Sequence, residues 1–138
     1  MQVKDAMTAS PDAAATNTTL LEFAQRMRDE DIGSIPVGEN DRLVGMVTDR
    51  DIVVRCVANQ QDVATMTASE IMSKNVSWCF DDVDLSEAAH LMEERRIRRL
   101  PVINRDKRLV GMLSIGDISR ASTELAGEAL RDVSCVGD

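Results

Sequence analysis

The apolar residues of this chain follow two different spacings, one typical of a helix and one typical of strands. From Leu20 to Met27 they recur at the spacing of one helix face, behind a capping-box sequence that begins at Thr19. Two short apolar runs follow at 35–37 and 43–47, and polar residues separate them. This order predicts a helix and then two antiparallel strands joined by a turn.

The same order of residues occurs again further along the chain, so the sequence contains an internal repeat. Met7-Thr8 recurs 65 positions later as Met72-Ser73, and the helix pattern recurs with the same separation. After an insertion of one residue, the segment 42–48 (RLVGMVT) matches the segment 108–114 (RLVGMLS). Agreement of several blocks in one register indicates a duplicated structural unit.

Each copy predicts the same α/β unit, in the order strand, helix, strand, strand, helix, with a short opening strand. We place the first repeat at residues 3–58, a polar linker at 59–68, the second repeat at 69–124 and a C-terminal tail at 125–138. A unit of about 60 residues buries little core on its own. We therefore expect the sheets of the two repeats to pack against each other about a pseudo-twofold axis, which would form two equivalent clefts.

Composition and charge exclude several classes of protein. With 43% apolar and 29% charged residues, the 138-residue chain is typical of folded globular proteins rather than disordered ones. No apolar run reaches the length of about 18–20 residues that a membrane span needs, and the first five residues do not resemble a signal peptide. A net charge of −8, together with one tryptophan, two phenylalanines and no tyrosine, argues against nucleic-acid binding. We expect a cytoplasmic protein.

Cysteine and histidine usage argues against most metal sites and most nucleophilic catalysis. Cys56, Cys79 and Cys135 are far apart and form no C-x-x-C pair, which argues against a disulfide framework or a zinc cluster and favours a reducing compartment. His90 is the only histidine, and its place in a helical pattern predicts a solvent-facing side chain. We therefore expect no catalytic residues, no metal site and no cofactor.

The motif with the clearest chemistry is Gly-x-x-Thr/Ser-x-x-Asp, which occurs once in each repeat. It places Thr48 and Ser114 where a closing helix begins, and Asp51 and Asp117 one turn later. A hydroxyl at a helix N-terminus suits a phosphate group, and a carboxylate, which only accepts hydrogen bonds, suits the two hydroxyls of a ribose. The glycines of the motif would let a ligand approach closely. The same residues would also serve as N-terminal caps of any helix, and that alternative stays open.

These motifs closely resemble a tandem pair of CBS domains, also called a Bateman module. The resemblance covers about residues 3–123 and rests on Asp5-Ala6-Met7-Thr8, on Ile35-Pro36-Val37, on the segment 43–52 (LVGMVTDRDI) and on their counterparts in the second repeat. It implies binding of an adenosine-containing ligand, such as AMP, ADP, ATP, NAD or S-adenosylmethionine, in the two clefts. It also implies a homodimer that regulates a partner enzyme or transporter.

The resemblance further implies which residues bind the ligand. Thr48 and Ser114 would contact phosphate. Asp51 and Asp117 would hold ribose. The residues implied to border the adenine are Ile32, Pro36, Ile97 and Pro101, together with Ser73 and Val76 before the second helix.

The two repeats differ from each other at two places, so we expect their sites to be inequivalent. The opening strand is PDAAA at 11–15 in the first repeat and the more apolar VSWC at 76–79 in the second. The second strand opens with Gly33-Ser34 in the first repeat and with Arg98-Arg99 in the other, and basic side chains at these two positions reach phosphates in related modules. Because neighbouring strand residues face opposite sides, at most one of the two arginines is expected to enter a given cleft.

Three functions can be compared on these observations. The first is a free-standing, non-catalytic sensor, in which ligand binding changes the orientation of the repeats or of two protomers and a partner reads the change. The second is a ligand-free dimerisation or interaction scaffold with degenerate pockets, which the weak opening strand of the first repeat favours. The third, a nucleotide hydrolase, lacks the histidines and the acidic cluster that such chemistry would need.

Overall fold

Both repeats contain a short helix near their start, in addition to the elements that the sequence pattern predicts. The computed structural model describes residues 1–121, and its first elements are α1 (Val3–Ala6), β1 (Thr8–Ala9), α2 (Leu20–Glu30), β2 (Ser34–Glu39), β3 (Arg42–Thr48), α3 (Asp49–Asp51) and a π-helix (Ile52–Val57). The remaining elements are α4 (Ala68–Ile71), β4 (Cys79–Phe80), α5 (Leu85–Arg95), β5 (Arg99–Ile103), β6 (Leu109–Ser114) and α6 (Ile115–Ala121). The predicted C-terminal tail at 125–138, which includes Cys135, lies outside the described residues.

The compact units of the structure divide the chain differently from the sequence repeats. Residues 12–76 form one unit, here called the first-repeat unit because it contains α2, β2 and β3. Residues 1–11 and 77–121 form the other, here called the second-repeat unit. The opening segment of each sequence repeat therefore lies in the unit that is built mainly from the other repeat.

Equivalent backbone hydrogen bonds hold the opening segments of the two repeats (residues 1–11 and 68–76) in place. In the second-repeat unit, the N–H of Val3 in α1 donates to the carbonyl of Val83 at 3.0 Å. In the first-repeat unit, the N–H of Ala68 in α4 donates to the carbonyl of Thr18 at 2.9 Å. The duplication in the sequence thus reproduces the same local attachment twice.

The first-repeat unit is built on the antiparallel hairpin of β2 and β3. Its two turn residues, Asn40 and Asp41, have φ angles of 53° and 63°, the left-handed conformation that suits a two-residue hairpin turn. The opening strand of this repeat is reduced to one parallel bridge between Ala14 and Val37, consistent with its low apolar content. The buried core of this unit consists of Leu20, Phe23, Met27, Ile35, Val37, Val47, Ile52, Cys56, Ala68 and Ile71.

The second-repeat unit carries a four-stranded sheet in the order β1-β6-β5-β4. β5 and β6 form the hairpin equivalent to β2 and β3, β4 pairs with β5 in parallel, and β1 pairs with β6 in antiparallel orientation. The N-terminal residues thus complete the sheet of the second repeat. The buried core of this unit consists of Val3, Cys79, Leu85, Ala88, Ala89, Met92, Leu100, Val102, Leu113, Ile115 and Ile118.

The long helices α2 and α5 begin and end in the same way. Thr19 caps α2 and Asp84 caps α5, each by accepting a backbone hydrogen bond, at 3.3 Å and 3.4 Å. Each helix ends at a residue with left-handed backbone, Asp31 with φ of 54° and Arg96 with φ of 57°. The predicted helices and the four predicted hairpin strands are confirmed, and the fold is a mixed α/β arrangement of two repeats.

The repeated glycine of the motif makes room for the chain itself, which corrects the expectation that it makes room for a ligand. A Cβ at Gly111 would lie 2.5 Å from the sulfur and 2.9 Å from a carbonyl oxygen of the segment Met7-Thr8. A Cβ at Gly45 would lie 2.7 Å and 3.0 Å from the equivalent atoms of Met72-Ser73. Each glycine therefore lets the opening segment of the other sequence repeat lie directly on the strand.

Candidate functional site

The four hydroxyl and carboxylate residues of the motif meet as two pairs with the same geometry. In the first repeat, the N–H of Asp51 donates to Thr48 Oγ1 at 3.0 Å, and the N–H of Thr48 donates to Asp51 Oδ2 at 2.9 Å. In the second repeat, the N–H of Asp117 donates to Ser114 Oγ at 3.0 Å, and the N–H of Ser114 donates to Asp117 Oδ2 at 2.9 Å. Each pair is a reciprocal capping box at the start of a helix.

The capping role leaves part of each group for other interactions. The hydroxyl oxygen accepts in the cap, so this bond does not use the hydroxyl hydrogen. The second carboxylate oxygen faces an arginine of its own helix: Asp51 Oδ1 lies 3.9 Å from Arg55 Nε, and Asp117 Oδ1 accepts a hydrogen bond from Arg120 Nη2. The sequence interpretation missed both arginines, although their spacing of three or four residues indicates such pairs. A ribose hydroxyl would have to share Oδ1 with the arginine or displace it.

The residues that face the two hydroxyls from the neighbouring strand differ. In the antiparallel register, Thr48 lies opposite Ser34 and Ser114 lies opposite Arg99, and directly opposite residues project from the same face of a sheet. Leu100, the neighbour of Arg99, lies in the core on the other face. The Nε of Arg99 is buried, and it has no hydrogen-bond partner among residues 1–121.

The residue before each of these strands differs as well. The carbonyl of Arg98 accepts a hydrogen bond from the N–H of Ile115 at 3.0 Å, and at the equivalent place the carbonyl of Gly33 accepts one from the N–H of Asp49 at 2.9 Å. The Asp49 carboxylate lies against Gly33, where a Cβ would be 3.2 Å from Oδ2. Arg98 itself is exposed. Of the two neighbouring arginines, Arg99 is the one that shares the face of the motif hydroxyl.

The residues expected to border the adenine divide into two kinds. Pro36 and Pro101 are buried in β2 and β5, and the alternation of strand residues puts them on the face of the motif hydroxyls. Ile32 and Ile97 are half-buried and pack against the core of their own unit. The prolines therefore share a face with the motif, whereas the isoleucines contact the core.

Ser73 and Val76 belong to the first-repeat unit, although both lie near the start of the second sequence repeat. Ser73 exchanges two backbone hydrogen bonds with Met46 of β3, both at 3.0 Å, and so takes the place of an edge strand there. Val76 is half-buried and is the last residue of that unit. A test of the role of Ser73 and Val76 in ligand binding therefore concerns the site of the first-repeat unit.

The two described cysteines are buried, and the histidine is exposed. Burial, reinforced by the charges of Asp81 and Glu87, raises the pKa of the Cys79 thiol to about 12. Cys56 is buried as well, and the His90 side chain is 66% exposed, as its helical pattern predicted.

Within residues 1–121, no three histidine, cysteine, aspartate or glutamate side chains come together where they could hold a metal ion. In the same part of the chain, every helix is too short or too polar to cross a membrane.

Comparison with known proteins matches both repeats to one family. The family model of the CBS domain matches residues 3–57 and 68–124. The CBS domain-containing protein YhcV of Bacillus subtilis is 39% identical over 134 residues, which cover 96% of this chain and 94% of that protein. Hypoxic response protein 1 of Mycobacterium tuberculosis is 40% identical over 124 residues, which cover 89% of this chain and 86% of that protein.

Solved structures of CBS proteins have the same fold. The crystal structure of Hypoxic Response Protein I with two coordinated zinc ions has a TM-score of 0.79 at 39% identity, covering 87% of this chain and 98% of that one. The CBS domain pair of protein MJ0100, in complex with 5′-methylthioadenosine and S-adenosyl-L-methionine, has a TM-score of 0.74 at 30% identity, with coverage of 88% and 98%. The CBS domain protein PAE2072 from Pyrobaculum aerophilum, complexed with AMP, has a TM-score of 0.77 at 25% identity, with coverage of 94% and 98%.

Proposed function

Because this chain belongs to the CBS domain family and carries the domain twice, we propose that it is a non-catalytic regulatory module, which binds an adenosine-containing ligand and acts on a separate partner protein. The observation that carries the proposal is the duplicated hydroxyl–carboxylate pair, with matching hydrogen-bond distances in the two repeats. The solved complexes of related proteins with AMP, and with 5′-methylthioadenosine and S-adenosyl-L-methionine, support this class of ligand. The candidates AMP, ADP, ATP, NAD and S-adenosylmethionine share the adenosine group.

In the proposed complex, each pair keeps its cap and uses its remaining atoms for the ligand. The Ser114 hydroxyl donates its hydrogen to a phosphate oxygen, and Asp117 Oδ1 accepts a hydrogen bond from a ribose hydroxyl in exchange with Arg120. Pro101 and Ile97 border the adenine. The equivalent residues proposed for the first-repeat unit are Thr48, Asp51, Ile32 and Pro36, with Ser73 and Val76 as further adenine neighbours.

Isothermal titration calorimetry with AMP, ATP, NAD and S-adenosylmethionine tests the proposal. Asp51→Asn and Asp117→Asn keep an oxygen that can cap the helix but remove the charge that ribose recognition uses. We expect each variant to weaken binding at its own site about 10- to 100-fold, since a hydrogen bond to a charged group contributes about 1.5–3 kcal/mol. Asp84→Asn, at the cap of α5, is the matched control and should bind as wild type does. No binding of any of the four ligands, or binding that survives both site variants, would contradict the proposal.

A ligand-free dimerisation scaffold is the second candidate function, and an exposed apolar patch favours it. Val53, Val54 and Val57 lie on the π-helix and are 58%, 47% and 56% exposed. The segment 52–61 around them contains a single charged residue, Arg55. Two copies of this acidic chain would meet there without strong like-charge repulsion, and an exposed apolar patch is typical of an interface. The sequence interpretation did not single out these valines, although their helical spacing is visible in the printed chain.

We propose a homodimer through this patch, and analytical ultracentrifugation tests it. Val54→Asp should shift the sedimenting species from dimer towards monomer, because it puts two carboxylates into the contact. Leu21→Asp, which replaces an exposed apolar residue on α2, is the control and should leave the mass unchanged. The scaffold function is favoured over the regulatory one if dimers form and no adenosine ligand binds.

The regulated partner and the cytoplasmic location stay predictions. A tagged chain, recovered from a detergent-solubilised cell lysate in the presence and absence of AMP, would show which enzyme or transporter it accompanies. A partner whose recovery changes with the nucleotide supports a regulatory module. A partner recovered equally with and without any adenosine ligand supports the scaffold.

A further inference from the structure

The surroundings of the two hydroxyl–carboxylate pairs differ by two charges. Four aligned positions lie next to each pair, two where the hairpin begins and two between the hydroxyl and the carboxylate. In the first repeat they are Gly33, Ser34, Asp49 and Arg50, whose charges cancel. In the second repeat they are Arg98, Arg99, Ile115 and Gly116, with two positive charges and no negative one.

Arg99 is the charged residue best placed to meet a ligand in the second repeat. It lies directly opposite Ser114 in the pairing of β5 and β6, on the face away from the core. Its Nε is buried and has no hydrogen-bond partner among the described residues. A buried donor without a partner destabilises a protein, whereas a phosphate oxygen beside the Ser114 hydroxyl would satisfy it with a charge-assisted hydrogen bond.

The first repeat presents a carboxylate in the comparable region. Asp49 directly follows Thr48, and its Oδ2 lies against Gly33. Its Oδ1 accepts the backbone N–H of Arg50 at 2.8 Å. The residue opposite Thr48 is the uncharged Ser34. The strand position that faces a phosphate at the Thr48 hydroxyl therefore offers no cation, and the charge of Asp49, the next residue along the chain, adds repulsion from the side of Gly33.

We infer that the two repeats accept different classes of adenosine ligand. The site of the second repeat takes an adenosine that carries a 5′-phosphate, as AMP does. The site of the first repeat takes an adenosine whose 5′ substituent carries no negative charge. The inference rests on the proposed function, because it specifies the ligands of the same two sites. It implies that one chain holds both kinds of ligand, each in its own site.

AMP and 5′-methylthioadenosine are suitable probes, because they differ only in the 5′ substituent. Titration calorimetry of the wild-type chain should give one AMP per chain. Arg99→Gln should weaken AMP binding at least tenfold and leave 5′-methylthioadenosine binding at the first site unchanged. Arg95→Gln, which changes an exposed arginine at the end of α5, is the matched control.

Substitutions that give the first repeat the charge of the second test the inference by a gain of AMP binding. Ser34→Arg combined with Asp49→Ile gives the first site the second site's residues at the position that faces the hydroxyl and at the position that follows it, and should raise the stoichiometry of AMP from one to two per chain. Thermal unfolding identifies any variant that fails to fold. The inference is overturned if the stoichiometry stays at one in a folded double variant, if Arg99→Gln weakens both probes equally, or if Asp51→Asn rather than Asp117→Asn abolishes AMP binding. Failure of the proposed function has a different result, since neither probe would then bind the wild-type chain.

Discussion

The contact of the N-terminal segment with β6 leads to a quantitative prediction for Gly111→Ala. The added Cβ would lie 2.5 Å from the sulfur and 2.9 Å from a carbonyl oxygen of Met7-Thr8, and Cβ atoms essentially never come within 3.0 Å of heavy atoms outside their own and the adjacent residues. The methionine side chain can move, but the carbonyl belongs to β1, whose backbone pairs with β6. Overpacking of this kind costs about 1–3 kcal/mol, which lowers the Tm of a chain of this size by roughly 3–12 °C.

Thermal and urea unfolding followed by circular dichroism measure this effect, and Gly116→Ala is the matched control. A Cβ at Gly116, in α6, would meet its nearest neighbour at 3.5 Å, an ordinary contact, so this variant should be as stable as wild type or more stable by about 0.4–1 kcal/mol. Met7→Ala in the Gly111→Ala background removes the sulfur but not the Thr8 carbonyl, and should restore only part of the loss. A Gly111→Ala protein that unfolds at the wild-type temperature would refute the placement of Met7 and Thr8 on β6.

Two further predictions concern the core of the first-repeat unit and the pH dependence of stability. Phe23 is only 1% exposed, and Phe23→Ala should lower the free energy of unfolding, measured in urea, by about 3–5 kcal/mol. Leu21 is exposed on the same helix, and Leu21→Ala should lower it by less than about 0.5 kcal/mol. Burial raises the pKa of the Cys79 thiol from its ordinary 9.0 to about 12. The folded chain then keeps a proton that the unfolded chain loses, so stability should fall as the pH rises from 9 towards 12. Cys79→Ala should remove this part of the pH dependence in urea titrations. If the variant keeps the same pH dependence, another group causes it.

The internal repeat made most of the fold predictable, because each element could be checked against its copy. The helices α2 and α5 and the two hairpins follow directly from this comparison. The compact unit in which each opening segment packs could not be predicted in the same way. α1 and α4 are four residues long, too short for periodicity to indicate a helix. The pairing of Thr8 with Met112 joins distant parts of the chain, and local sequence patterns do not encode such a pairing.

The candidate site was predictable where it depends on local spacing and not where it depends on strand register. Asp51 and Asp117 each lie three residues after a hydroxyl, so any helix start brings them to it. The position of Arg99 opposite Ser114 depends on the length and conformation of the hairpin turn, which spacing alone does not determine. The motif glycine shows a related limit, because a glycine indicates a close approach without identifying what approaches.

The capping box decides how experiments on these residues must be interpreted. Asp117→Ala removes the acceptor for the Ser114 N–H, the partner of Arg120 and the proposed ribose contact together, so a loss of binding would not separate a misformed helix start from a missing contact. Asp117→Asn keeps an oxygen for the Ser114 N–H and removes the charge. Weaker binding of AMP by an Asp117→Asn protein of unchanged Tm therefore indicates direct recognition of the ligand. Weaker binding in proportion to a lowered Tm indicates that the carboxylate acts as a cap alone.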